Sequence, residues 1–228
     1  MGTAGNSRKA LVMDFVQART KMVDNQVRTV DVTDHDILRA LLTVPREIFV
    51  PESKRPFAYM GGEIALGGGR HLMEVAPFAR LLQLAEIEKD DVVLNIGCGA
   101  GYSAAVLSHL AASVVAVEED PALAQAASDA LASLGIVSAV VVQAPLAEGY
   151  AKEGPYDVII IDGGVDQVPA ALFEQLKERG RLVVIEGRGF SAAAKLYSKE
   201  GGVVSGRFAF NYGVSQLPGF GLKPEFVF

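Results

Sequence analysis

The chain has 228 residues, half of them hydrophobic and 21% charged, with a net charge of −6 and a single cysteine. That composition supports one α/β domain with a sizeable core, excludes an internal disulfide framework, and disfavours nucleic acid, whose phosphates repel an acidic surface. No apolar run reaches the ~20 residues a membrane helix needs. The opening "MGTAGNSRKALVMDF" carries no secretory core, so the expectation is a cytoplasmic protein with no membrane partner.

In chain order, residues 8–28 place Leu11, Val12, Phe15, Val16, Met22 and Val23 at helical spacing. Thr33 followed by Asp36 has the form of a capping box and predicts a short helix burying Ile37, Leu38, Leu41 and Leu42. "VPREIFVP" then ends the helical region with two prolines. The stretch "GGGRHLMEV" (67–75) sets three glycines before Arg70 and His71, a composition open to three readings: phosphate cradle, half of a metal site, or the rim of another pocket. His35, His71 and His109 fall in separate elements without ligand-like spacing, so no metal site is expected. A helix is predicted over 76–87.

After residue 90 the pattern changes to strand–helix alternation. Apolar runs at 92–96, 114–117, 139–143, 157–162 and 181–186 read as strands, and helices lie between them. Asp120 is placed to cap a helix whose first residue is Pro121, where the missing N–H costs little. Continuous apolar strands separated by helices indicate a parallel sheet covered on both faces. The tail from "VVSGRFAFNYGV" to "PEFVF" lacks helical spacing and predicts closing antiparallel strands. The expected architecture is a doubly wound, Rossmann-like sheet. It forms a single domain in which residues 1–90 are a helical extension and 91–228 the core.

"VLNIGCGAGYSAAVLSHL" sets Gly97, Gly99 and Gly101 between a strand and a helix, where backbone approaches a ligand without a Cβ in the way. Glu118 follows a strand about twenty residues later, the place where a dinucleotide fold puts its ribose acid. A nicotinamide site favours a third glycine at the position that Tyr102 occupies here. The G-x-G-x-G spacing favours S-adenosylmethionine, which has no pyrophosphate to cradle. A tight turn with no cofactor is the plainer reading of the loop alone.

With these motifs in place, the chain resembles the protein-L-isoaspartate O-methyltransferase family. The likeness runs from "MVDNQV" through "VPREIFVP", "AYMGGEIALGGG", the glycine loop, "VVAVEED", "GPYDVIII", "VPAAL" and "QLKERGRLVV" to a closing "FVF". It implies methyl transfer from S-adenosylmethionine to the α-carboxylate of isoaspartyl residues in damaged proteins or peptides. It also implies that Gly97, Cys98, Gly99 and Gly101 line the methionine end of the cofactor and that Glu118 holds the ribose. Tyr102, Glu119, Pro145, Leu146, Leu72 and Met73 complete the expected cofactor set, and His71 and Met73 stand where the family's acceptor-side hydroxyls lie. The same resemblance makes residues 67–75 an acceptor loop.

The chain departs from the family at several of these positions. The acceptor hydroxyls are gone, Asn95 replaces an acid in the first nucleotide strand, and Ala144, Pro145 and Leu146 replace Gly-Asp-Gly beside the adenine. Three hypotheses follow: an isoaspartyl methyltransferase with a divergent acceptor loop, a cofactor-binding homologue with another acceptor or a regulatory role, and a nicotinamide oxidoreductase. The glycine loop and Glu118 favour an enzyme, the lost hydroxyls favour a binding protein, and Tyr102 disfavours the oxidoreductase. Arg70 would pair with an acceptor carboxylate or stand solvated, and Asp162, ending a strand, would contact substrate or cap the next segment.

Overall fold

The computed structural model describes residues 14–221. Helix α1 (Phe15–Met22) opens them, capped by the Asp14 carboxylate, and is followed by a wider turn over Val23–Val27 and a tighter one over Arg28–Val30. Of the expected apolar stripe, Met22 and Val23 are buried but Val16 is 67% exposed; Leu11 and Val12 lie outside the described residues. Helix α2 (His35–Thr43) is capped by Asp34, which accepts from the amides of Asp36 and Ile37, so Thr33 is not the cap. An aspartate directly before the first helical residue is the stronger acceptor, being charged at the positive end of the helix. Ile37, Leu38 and Leu41 are buried as expected, while Leu42 faces outward.

Two short strands, β1 (Ile64–Gly67) and β2 (Arg70–Leu72), form an antiparallel hairpin where a loop was expected. Helix α3 (Val75–Ala85) starts one residue earlier than predicted and ends two residues earlier, at Glu86 in a left-handed conformation. Then come β3 (Val92–Ile96), α4 (Tyr102–Leu107), β4 (Ser113–Glu118), α5 (Pro121–Ser133) and β5 (Ala139–Gln143). They are followed by β6 (Tyr156–Val165), α6 (Ala170–Glu174), β7 (Leu176–Glu186), β8 (Ala193–Glu200) and β9 (Val203–Asn211). Asp120 caps α5 through the amides of Ala122 and Leu123, with Pro121 at its first turn.

The seven-stranded sheet has the order β5-β4-β3-β6-β7-β8-β9. Its first five strands are parallel, and β8 and β9 close it antiparallel. Sequence reading missed β8, whose "AAKLYSKE" mixes small and charged residues. The tail's final "PEFVF" lies outside the described residues.

Strand alternation divides the core in two. Val93, Val158, Ile160 and Val183 face a layer built from α1–α5, so the N-terminal helices share the core of the sheet. Leu94, Ile96, Ile159, Ile161 and Val184 face a thinner layer of Leu146, Leu172, Leu217 and Phe220. The carboxyl ends of the parallel strands share one edge, and between β3 and β6 the strand order reverses, which opens the crevice where such sheets bind ligands.

Candidate active site

Four strand ends carry the chemistry at this edge. After β3, the Gly97 and Cys98 amides both donate to Val117 O, at 2.8 and 3.2 Å, folding the glycine turn onto the end of β4. Gly97, Gly99 and Gly101 all have φ between +55° and +98°. At Gly101 a Cβ would stand 3.0 Å from Ala127 Cβ and 3.1 Å from its Cα, so helix α5 needs a glycine there. Cys98 is buried, and burial together with the Glu118 and Asp162 charges pushes its thiol far above the ordinary range, which disfavours the thiolate.

Glu118, the last residue of β4, is fully buried. One carboxylate oxygen accepts from Arg70 Nε at 3.2 Å, Glu119 N at 3.0 Å and Asp120 N at 3.2 Å. The other accepts from Arg70 Nη2 and Gly99 N, both at 2.8 Å. Arg70 Nη2 also donates to Gly97 O at 2.9 Å. Arg70 is therefore neither solvated nor free for a substrate: it is 3% exposed and clamped on the expected ribose acid in a two-point ion pair.

The acceptor stretch is placed differently from its sequence reading. On β2, Arg70 and Leu72 point inward, and His71 is half-buried with its Nδ1 unpartnered. Met73 is buried in the main core, and its carbonyl accepts from Arg46 Nη2 at 2.7 Å. Arg46, from "VPREIFVP", is itself buried, donates from Nε to Ala58 O at 2.9 Å, and lies 4.6 Å over the Tyr102 ring. Sequence reading singled out the motif and missed this role: one arginine ties the segment after α2 to the acceptor stretch.

Tyr102 does not face the crevice either. Its ring packs against Phe49 and Phe78, with centroids 5.7 and 6.0 Å away, because the first turn of α4 directs it under the N-terminal helices. Glu119 is exposed and enters the site through its amide alone. On the adenine side, Pro145 is exposed and Leu146 is buried at the start of a short turn.

Asn95 is buried on β3, taking the Ser103 hydroxyl at 2.8 Å on Oδ1 and leaving Nδ2 without a partner. Asp162 on β6 is also buried, with one oxygen unpartnered. Burial pushes its carboxyl up to about 6; Ser103, Arg70 and Arg46 draw it down, and the Glu118 charge adds to the rise.

Two apolar side chains fill the crevice floor. A Cβ at Gly163 would stand 2.6 Å from Leu217 Cγ, one at Gly97 3.0 Å from Leu217 Cδ2, and one at Gly99 2.8 Å from Leu66 Cδ1. Leu217 is held there by its amide, which donates to Gly164 O at 2.8 Å, and by the Gly164 amide, which donates to Ser215 O at 2.9 Å. It sits across the ends of β3 and β6, at the reversal of strand order. No composition or spacing signal marks Leu217 or Leu66.

This turn, its acid and the mixed sheet define a Rossmann-like domain of the class I methyltransferase type. The family model for protein-L-isoaspartate(D-aspartate) O-methyltransferase matches residues 17–210, and the chain belongs to that family. A protein-L-isoaspartate O-methyltransferase of Methanoculleus marisnigri is 37% identical over 81% of this chain and 84% of its own length. One from Shewanella sediminis is 39% identical over 78% and 72%. A solved protein-L-isoaspartate O-methyltransferase superposes with a TM-score of 0.76 at 29% identity, covering 88% of this chain and 66% of that one. A Plasmodium falciparum structure solved in complex with S-adenosyl-L-homocysteine shares the fold, with a TM-score of 0.74 at 16% identity over 87% of this chain and 97% of that one. Among the described residues no helix is long and apolar enough to cross a membrane.

Proposed function

We propose that this chain is a cytoplasmic, single-domain enzyme that transfers a methyl group from S-adenosylmethionine to the α-carboxylate of isoaspartyl residues in damaged proteins or peptides. The observation that carries the reading is the family match over residues 17–210, which spans both the glycine turn and the acid-ending strand. The fit to the cofactor is partial. The turn presents backbone at the carboxyl edge, but the ribose acid already accepts five hydrogen bonds, against about four lone-pair sites on a carboxylate. As arranged here, the residues do not admit the ribose.

What the chain itself contributes is positioning. An acceptor carboxylate is ionised near neutral pH and needs no general base, so alignment and exclusion of water carry the reaction. Arg46 fixes the backbone at Met73, and half-buried His71 is the polar side chain of β2 left to meet an acceptor.

A second reading, a homologue with another acceptor or a regulatory binding role, draws on the missing hydroxyls at His71 and Met73. Transfer of labelled methyl to an isoaspartyl peptide, with its aspartyl isomer as control and millimolar S-adenosylmethionine, decides between them. Label on the isoaspartyl peptide alone is expected. Equal background on both peptides would overturn the isoaspartyl reading.

A further inference from the structure

We propose that Arg70 is an internal competitor for the cofactor: its guanidinium holds Glu118 in a closed state, and S-adenosylmethionine enters only when that side chain leaves. The proposal rests on the reading above that this crevice takes S-adenosylmethionine.

Three observations carry it. The first is saturation: Glu118 takes two donors from Arg70 and three from backbone amides, which leaves no site for a vicinal diol. Removing Arg70 leaves three amide donors on about four lone-pair sites, and the site it opens lies on the oxygen that keeps only Gly99 N, room for a ribose hydroxyl. The second is place. Arg70 Nη2 would stand 3.1 Å from a Cβ at Gly97, beside Leu217, so the guanidinium fills the space against the turn that a ligand backbone contact requires.

The third is a route out. Arg70 follows Gly67, Gly68 and Gly69, all at positive φ, and a Cβ at Gly67 or Gly69 would meet nothing within 4 Å. All three glycines are exposed. The hairpin tip is exposed, its nearest neighbour being an Asp120 carboxylate oxygen 3.2 Å from a Cβ at Gly68, and rotation about the tip returns the guanidinium to water. An arginine suits the role better than a lysine, because its planar fork covers both carboxylate oxygens.

The competition lowers apparent affinity by the fraction of molecules in the open state. Isothermal titration calorimetry with S-adenosylhomocysteine tests it on the wild type, Arg70→Gln and Arg70→Lys, with thermal unfolding of each ligand-free protein as the check on folding. Arg70→Gln should bind about a hundredfold tighter than wild type, the size expected when a buried pair no longer has to be broken first. Arg70→Lys, which keeps the charge and loses the fork, should fall between them. It decides the matter by the same ranking if the glutamine variant does not fold.

Glu118→Gln in the Arg70→Gln background should abolish the gain. Measurable wild-type binding with no gain in either variant would overturn the competition and leave the proposed function standing. Folded variants that bind no S-adenosylhomocysteine at all would overturn both. A gain that survives Glu118→Gln would overturn the competition for that acid.

Discussion

Two glycine clusters adjoin Arg70, and they use the same residue for different reasons. Gly97, Gly99 and Gly101 are buried and sit at positive φ, with side chains or backbone within about 3 Å of where each Cβ would be. Gly67, Gly68 and Gly69 also sit at positive φ, but they are exposed, and the nearest atom to any of their Cβ positions is an Asp120 carboxylate oxygen 3.2 Å from Gly68. In the first cluster glycine is needed for closeness as well as conformation, and in the second for conformation alone. A buried cluster of this kind builds a site; an exposed one builds a joint. Arg70 connects them, since it leaves the joint and ends against the site.

The largest expected effect separates the two clusters directly. Gly101→Ala adds a methyl against the backbone of α5 at an unfavourable φ and should lower unfolding free energy by about 2–4 kcal/mol, read from urea titration. A loss below about 1 kcal/mol would mean that α5 gives way freely.

The buried cluster also adjoins a carboxylate whose charge is costly. With Asp162 pushed up to about 6 from an ordinary 3.8, the folded protein binds more protons than the unfolded chain between those pH values. Stability therefore falls as pH rises through that window and stays lowered above it. Asp162→Asn should gain about 1–3 kcal/mol over wild type at pH 7.5, with the gain shrinking towards pH 4. A pH-independent difference in the urea midpoints would show that the shift is not there.

In the exposed cluster, Gly69→Ala should cost only the left-handed conformation, about 1–2 kcal/mol. A cost matching that of Gly101→Ala would erase the distinction. The smallest expected effect is none: Cys98, buried in the first cluster, should resist alkylation at pH 8 in the folded protein and react fully in urea. Stoichiometric labelling of the native protein, counted by mass spectrometry, would mean that the turn opens.

Much of the fold was legible because its signals are local. The parallel strands showed as apolar runs, α5 was marked by Asp120 and Pro121, and the glycine turn and its acid stood at a spacing the fold imposes. Where local signals compete, they mislead. Thr33 has the form of a cap that Asp34 provides, and the hairpin carries the composition of a loop because glycines outnumber apolar residues at its tip. Strand β8 has no clean alternation, since it is paired on both sides by β7 and β9 while its side chains remain partly exposed.

The sequence by itself determined the layered α/β plan, the family, and the positions of Gly97, Gly99, Gly101 and Glu118, since each depends on residues close together in the chain. The tertiary structure decided what those positions touch. Arg70 and Glu118 are separated by 48 residues, and Leu217 reaches Gly97 from the far end of the chain. Tyr102 packs against Phe49 and Phe78, and Met73 is tied to Arg46, because the N-terminal segments offer them close packing. Contacts of that range leave no periodicity or spacing in a sequence; they follow from which faces meet once the sheet has formed.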